Sequence, residues 1–287
     1  MQSFNPRPYL YRRKLSIKRT LISTYILNMQ ERHSNRKLYF RELSFTCKNY
    51  YTPYIQQWHK IEAGMRILEI GCGEGGNLLP FAYAGCLTTG IDIATCRIEE
   101  AKHFFSCYHA KGRFMAADIF SLTDLRCKYD IIICHDVIEH VEDKEMLLSI
   151  IRHYLNEDGV AFISFPAWQM PFGGHQQICK SIVLSHLPFI HLLPDNLYRT
   201  MIRLFGEDAG CIMELLTIKH RHMMIEPFER MVSDAGLMIL NRQLWLINPH
   251  YHIKFGLHPR KLPHIFSNIP YLRNFLSSSC FYMLSCK

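Results

Sequence analysis

A run of small and acidic residues between positions 67 and 81 has the composition of a nucleotide-binding turn. A short apolar strand leads into Gly71, Gly73 and Gly75, and Glu69 precedes the first glycine by two residues. Because glycine has no Cβ, the backbone can turn sharply here and a ligand can lie against the main chain and the start of the next helix. The segment therefore predicts a site for a nucleotide-like cofactor.

The glycines alone do not choose the cofactor. Gly71, Gly73 and Gly76 also fit the G-x-G-x-x-G spacing of NAD- and FAD-binding proteins. Glycine-rich loops occur as well in proteins that bind nothing at that position. The choice depends on the residues that follow the loop.

Acidic residues recur at the ends of the next apolar runs. Asp92 ends the second predicted strand, about twenty residues beyond the glycines, where a carboxylate would accept both hydroxyls of a ribose. Asp118 follows the third run, and Asp136 and Glu139 follow the fourth. The predicted strands after the first span residues 87–93, 113–117, 129–135, 159–165, 237–244 and 280–285.

Five segments in this order resemble the motifs of class I S-adenosylmethionine-dependent methyltransferases, and most of all the branch of quinone-biosynthesis and related small-molecule enzymes. They are residues 68–76, 90–93, 117–119, 129–141 and 155–166. The segment at 136–141 is not expected in a dinucleotide dehydrogenase and favours S-adenosylmethionine over NAD. The resemblance implies an α/β fold, a Rossmann-like, seven-stranded, mostly parallel sheet with helices on both faces and helical lid insertions.

The resemblance also assigns cofactor contacts. Glu69, Gly71 and Gly73 would hold the methionine end, Asp92 the ribose, and Asp118 the adenine amino group. The remaining predicted cofactor contacts are Ile93 and Ile119, which would flank the adenine ring, and Cys72, Gly75 and His135.

Methyl transfer needs alignment and exclusion of water, and a base is useful if the acceptor is a hydroxyl or an amine. The predicted catalytic residues are His175 and His140, each with a second interpretation: His140 as a structural residue of the Glu-His pair, His175 as lid scaffold. Polar groups among aromatic residues orient ligands. Trp168, Gln176 and Gln177 are therefore the predicted acceptor contacts.

The composition favours a soluble enzyme. The chain has 287 residues, of which 48% are hydrophobic, enough to bury a sizeable core. Its eleven cysteines form no C-x-x-C pair and predict buried, reduced thiols in the cytoplasm. No metal site is predicted, and the H-x-H pair His220 and His222 is interpreted as surface residues.

The net charge of +8 comes from the first forty residues. They hold nine Lys and Arg against Glu31 alone, and the other 24 basic residues are balanced by 24 acidic ones. This start could be a transit peptide, a membrane-surface segment or a leader before Met29. A basic nucleic-acid groove is not expected elsewhere, and any peripheral membrane contact would use this tail.

We expect a basic tail at residues 1–40 and one methyltransferase domain at 41–287, with cap insertions at about 166–226 and 245–278. The predicted acceptor is a small or lipid-like molecule. The alternatives are an RNA or protein methyltransferase, or a non-catalytic protein that binds S-adenosylmethionine. The sequence gives neither the methylated atom nor the oligomeric state.

Overall fold

The computed structural model describes residues 35–122, 125 and 127–286. The predicted tail up to residue 34 lies outside the described residues. Within the described residues, eight strands form one sheet in the order β3-β2-β1-β4-β5-β8-β6-β7. Their bounds are β1 Arg66–Ile70, β2 Leu87–Asp92, β3 Arg113–Ala116, β4 Tyr129–His135, β5 Leu155–Phe165, β6 Leu237–Ile247, β7 Arg260–Lys261 and β8 Ser279–Cys286.

The first five strands are parallel, and β8 lies antiparallel between β5 and β6. Both faces of β1 and β4 are covered, which explains their nearly continuous apolar sequences. The predicted α/β fold is confirmed, but the count of seven strands is wrong. The additional strand is β7, a two-residue edge pair that residues of the second insertion form with Trp245 and Ile247. Two residues are too few to show a strand period in sequence.

Helices pack on both faces of the sheet, and three of them come from insertions that precede the sixth strand. The helices are α1 Arg36–Thr46, α2 Thr52–Ile55, α3 Leu79–Tyr83, α4 Thr95–Cys107, α5 Lys144–Tyr154, α6 Ile182–His186, α7 Asp195–Leu204, α8 Ala209–Arg221, α9 Ile225–Asp234, α10 His250–Phe255, α11 His264–Ser267 and α12 Leu272–Leu276. A π-helical turn, Cys47–Tyr51, joins α1 to α2. One face of the sheet buries the residues around α5 and α9, and the other buries those around α1 and α4.

Residues 166–224, called the lid below, form a helical layer with its own small core. Leu184, Tyr198, Ile202 and Leu215 are fully buried there. Helix α1 spans Arg36–Thr46, so regular structure begins before the predicted domain start at residue 41. Among the described residues, every helix is too short or too polar to cross a bilayer.

Candidate active site

The turn after β1 follows the carboxyl edge of the sheet. The N–H groups of Gly71 and Cys72 donate to the carbonyl of Ile91 at 2.8 and 3.0 Å, which ties the turn to β2. Gly71 has φ +71°, and a Cβ there would lie 2.3 Å from Cγ2 of Val137. Gly73 has φ +50°, and the nearest atom to a Cβ there would be Nη1 of Arg97, at 3.8 Å, which is ordinary van der Waals contact. The turn thus leaves bare backbone toward the cleft at Gly73, while Gly71 is required by close packing.

The last two glycines of the turn serve packing. A Cβ at Gly75 would lie 2.9 Å from the ring of Phe114, and one at Gly76 would lie 2.6 Å from the carbonyl oxygen of Phe40 and 2.7 Å from Cβ of Leu43. Gly76 therefore lets α1 dock on the turn. This packing accounts for the last glycine of the G-x-G-x-x-G spacing, a spacing that also fits NAD- and FAD-binding proteins.

Asp92 ends β2 directly beside the turn. One carboxylate oxygen accepts the N–H of Gly73 at 2.8 Å, and the other accepts the N–H of Ala94 at 2.9 Å. A carboxylate oxygen has two lone pairs, so each still has acceptor capacity. Because Asp92 lines the cleft, it is oriented to accept two neighbouring hydroxyl groups.

The residues predicted to contact adenine lie further along the same edge. Asp118 is exposed, lines the cleft and accepts the N–H of Phe120 at 3.1 Å. Ile93 is 75% exposed and Ile119 is buried in the main core, and both reach the cleft wall. Phe120 is partly exposed in the same wall and was missed, because an aromatic residue in a loop gives no signal in one sequence.

Glu69 is buried at the end of β1. Its Oε1 accepts a hydrogen bond from Asn77 Nδ2 at 2.8 Å, whereas its Oε2 has no hydrogen-bond partner among the described residues. Burial raises the pKa of this carboxyl to about 8 and outweighs the hydrogen bond from Asn77, which lowers it; the negative charge of Asp92 makes the smallest contribution and raises it further. A buried acceptor without a partner is costly. An amine placed in the cleft would satisfy it, which fits the ammonium end of an amino-acid cofactor.

A second buried carboxylate, Glu74, holds the N-terminal helix on the turn. It is fully buried and pairs with Arg36 of α1 and with Arg97 of α4, the latter at 3.0 Å. Both guanidinium groups also line the cleft. Sequence reasoning missed Arg36, because the pairing joins residues far apart in the chain.

His135 lies at the end of β4 under the cleft. Its Nε2 and the hydroxyl of Tyr51 are hydrogen-bonded at 2.6 Å, and the two rings lie 4.8 Å apart. Tyr51 belongs to the π-helical turn and is almost fully buried. This hydrogen bond fixes the imidazole of His135. The sequence predicted His135 but not Tyr51.

Glu139, His140 and His175 come together where the lid meets the sheet. The two imidazole rings lie 5.0 Å apart, edge to face, and one ligand atom from each of the three residues lies within 4.8 Å of the others. Glu139 is buried, and burial raises its pKa well above the usual value. Burial lowers the pKa of His140, and it lowers that of His175 to about 4 with help from the neighbouring His140. Both histidines face the cleft.

The three predicted acceptor contacts do not lie together. Gln177 lines the cleft. Trp168 and Gln176 are buried inside the lid and are absent from the described cleft wall, and the amide of Gln176 donates to the carbonyls of Pro171 and Leu187, both at 3.2 Å. Ligand contact by Trp168 and Gln176 stays a prediction, and the hydrogen bonds that the Gln176 amide donates lie within the lid.

The wall opposite the lid comes from α10, which packs on α1 and the π-helical turn. Thr46 and His250 are hydrogen-bonded at 2.9 Å, as are Tyr50 and His252. His250 and Tyr251 line the cleft. These contacts join residues about 200 positions apart, so the sequence predicted an insertion here but not its partners.

This mostly parallel sheet, with a glycine turn and a carboxylate at the ends of β1 and β2, defines a Rossmann-like nucleotide-binding protein. A family model described as a methyltransferase domain matches residues 39–241, and the chain belongs to this family. It is an S-adenosylmethionine-dependent methyltransferase.

The relatives include proteins with and without an assigned activity. An uncharacterized protein of Rickettsia prowazekii (strain Madrid E) is 29% identical over 220 residues, 71% of this chain and 85% of that protein. A ubiquinone biosynthesis O-methyltransferase of Bartonella quintana (strain Toulouse) is 31% identical over 121 residues, 40% of this chain. That match spans 49%, about half, of the relative's length.

Two solved structures share the fold. Magnesium protoporphyrin IX methyltransferase from Synechocystis PCC 6803 has a TM-score of 0.51 at 16% identity, covering 84% of this chain and 81% of the other. A TehB-like S-adenosylmethionine-dependent methyltransferase from Corynebacterium glutamicum has a TM-score of 0.50 at 16% identity, covering 92% and 100%.

Proposed function

We propose that this enzyme methylates a small-molecule acceptor held between the lid and α10. The observation that carries the proposal is one continuous cleft of about 1500 Å³, which runs from the glycine turn to the lid. Ligand pockets of roughly 300 to 1,000 Å³ hold drug-sized molecules, so the cleft has room for a cofactor and an acceptor. Its acceptor end includes the apolar and aromatic lining residues Tyr39, Met170, Phe172, Ile178 and Tyr251, beside polar ones such as Gln177, Asn248 and Lys254.

We assign the cofactor to the end of the cleft at the glycine turn. Glu69 would accept the ammonium group, Asp92 the ribose hydroxyls and Asp118 the adenine amino group. The unpartnered oxygen of Glu69 and the free acceptor capacity of Asp92 support this orientation. When bound, the sulfonium supplies an activated methyl group.

We assign proton acceptance to His140 and orientation of its ring to His175. The side chain of His140 is 41% exposed, and the ring of His175, a residue of the lid, contacts the His140 ring edge to face. A lowered pKa keeps both imidazoles neutral near pH 7, so that a ring nitrogen can accept a proton from a hydroxyl or an amine. The lid would exclude water and align the acceptor, which can supply much of the acceleration.

The ubiquinone relative, by its name an O-methyltransferase, supports a hydroxyl group on a small acceptor. An RNA substrate would need a basic face, whereas residues beyond position 40 carry equal numbers of basic and acidic groups. All eleven cysteines are free thiols, which fits our placement of the enzyme in a reducing compartment such as the cytoplasm.

The test is turnover with S-adenosylmethionine labelled in the methyl group. The protein would be incubated separately with a small-molecule extract, total RNA and a protein extract, and label in each fraction would be identified by mass spectrometry. We expect label in small molecules. Label confined to RNA or protein would contradict the acceptor class, and tight cofactor binding without transfer to any fraction would contradict catalysis.

A further inference from the structure

The lid contains a cluster of metal-ligating side chains that lies apart from the cleft. Cys179 follows the short helical turn Gln176–Ile178, Glu207 lies in the loop before α8, and Cys211 lies in the first turn of α8. Both sulfur atoms and a carboxylate oxygen of Glu207 lie within 4.8 Å of one another. Cys179 and Glu207 are buried, at 8% and 6% exposure. None of the three lines the described cleft.

The carboxylate of Glu207 is held in place by the backbone. Its Oε1 accepts the N–H of Ser181 at 2.7 Å, and its Oε2 accepts the N–H of Lys180 at 3.1 Å. Each oxygen keeps a lone pair for a further partner. Carboxylates that bind metals are commonly oriented by such outer hydrogen bonds.

Among the described residues, no cationic side chain forms an ion pair with the cluster. The ammonium group of Lys180 pairs with Asp208 at 2.7 Å, and within the described part of the chain no cation lies within 4.0 Å of Glu207. Burial raises the pKa of Cys179 to about 12 and that of Cys211 to about 11, and the charge of Glu207 contributes to both. A bound divalent ion would take the place of the two thiol protons.

We propose that Cys179, Cys211 and Glu207 bind one zinc ion. Two sulfur ligands select a soft ion such as Zn²⁺ over Mg²⁺ or Ca²⁺, and a carboxylate is a common zinc ligand. Three protein ligands leave the fourth tetrahedral position to water. Binding releases the two thiol protons and needs no oxidant.

The ion fixes one part of the lid relative to another. Cys179 ends the turn that begins after His175 and carries Gln177, whereas Cys211 belongs to α8. A shared ion holds the turn against the helix. Zinc therefore orders the acceptor side of the cleft without touching the cofactor side.

The test begins with zinc alone. Full-length protein is purified with reductant, stripped with a chelator and titrated with zinc chloride against a chromogenic competitor. We expect one zinc per chain in the wild type. Cys179→Ser and Cys211→Ser should each lower zinc affinity by more than about 10²-fold, since loss of even an outer-shell partner costs about 10 to 100-fold. Cys96→Ser is the matched control, because Cys96 is exposed and outside the cluster.

Two further measurements keep the proposal falsifiable if one variant fails to fold. Cobalt in place of zinc should give thiolate-to-cobalt charge-transfer absorption in the wild type and in Cys96→Ser. Zinc should also slow amide hydrogen exchange in the turn Gln176–Ile178 and at the start of α8. Both effects should be lost in Cys179→Ser.

Three results would overturn the proposal. One is no stoichiometric zinc in the stripped, reduced protein. The second is unchanged zinc affinity in both cysteine variants, or a cobalt complex without sulfur absorption, which would place the ion at another site such as Glu139, His140 and His175. The third is a free-thiol count two below eleven in protein purified without reductant, with no zinc taken up after reduction, which would indicate a disulfide pair.

Discussion

The two ends of the cleft are built by different means. The cofactor end is formed by the carboxyl ends of β1, β2 and β4, which parallel pairing brings to one edge of the sheet. Strand pairing alone therefore places Glu69 and Asp92 near each other. The acceptor end joins the lid, α1 and α10, which are distant in sequence. Residues at the cofactor end therefore depend on local backbone geometry, and those at the acceptor end on long-range packing.

The largest effect is expected at the histidine pair. His140→Gln should lower the rate of methyl transfer by about 10² to 10⁴-fold if its imidazole is the base. Cofactor affinity should stay within error, because the cofactor contacts that we propose are made by Glu69, Asp92 and Asp118. Steady-state kinetics and calorimetry measure the two quantities.

His175→Gln tests orientation, and we expect a raised Michaelis constant together with a smaller fall in kcat. His220→Gln is the control, since His220 is an exposed partner of Asp195 on the outer surface of the lid. Unchanged kinetics in both His140→Gln and His175→Gln would show that neither histidine is the general base.

The next largest effect is expected on stability, when a side chain is added to the glycine turn at the cofactor end. Gly71→Ala adds a Cβ 2.3 Å from Val137 at φ +71°. We expect a loss of about 1–3 kcal/mol in the free energy of unfolding from overpacking, and about 1–2 kcal/mol from the left-handed backbone. Urea denaturation measures the sum.

Gly64→Ala is the matched control for that substitution. Gly64 has φ +88°, and nothing lies within 4 Å of the position that an alanine methyl group would take, so only the backbone contribution should remain. Equal losses in the two variants would show that the contact with Val137 is readily relieved.

A smaller effect is expected for Asp92→Ala. Loss of a charged acceptor should weaken S-adenosylmethionine binding by about 1.5 to 3 kcal/mol. Asp130→Ala is the control, because Asp130 also accepts a backbone N–H, that of Arg66, but lies at the opposite end of the sheet. Calorimetry with both variants decides the assignment. Equal affinity in wild type and Asp92→Ala would contradict a ribose contact.

The smallest effect per residue is a pH dependence confined to the lid. Burial lowers the pKa of His175 and of His191 to about 4, below the value of about 6.5 in an unfolded chain. As pH falls from 6.5 toward 4, the unfolded chain takes up protons first, so stability is lost over this range and is constant above it. The expected loss is on the order of 1 to 2 kcal/mol per histidine at pH 5.

Hydrogen exchange at pH 7.5 and pH 5 measures that loss. Protection should fall in the lid and persist in β1 and β4. In His175→Gln/His191→Gln the lid should lose this acid sensitivity. Equal acid sensitivity in the lid and the central strands would show that carboxylates elsewhere dominate.

Local sequence predicted most of the cofactor end. Apolar runs bounded by glycine and acidic residues identify parallel strands, and a position at a strand end is enough to place Asp92 beside Gly73. The same reasoning predicted all strands except β7, which has only two residues. The sequence could not distinguish glycines that expose backbone to a ligand from glycines that permit close packing. Gly76 is an example, because the residue that a Cβ there would clash with, Phe40, is distant in sequence.

The sequence by itself determined the sheet and the acidic residues at its edge, because strand period, turn residues and strand-end positions are local properties of the chain. Tertiary structure alone decided which polar residues of the lid face the cleft. Gln176 and Gln177 are adjacent glutamines. The Gln176 side chain is buried in the lid and donates to a lid carbonyl, whereas Gln177 lines the cleft. Packing between distant segments likewise brings Tyr51 to His135 and Cys179 to Cys211. A single sequence holds no periodic signal for such contacts.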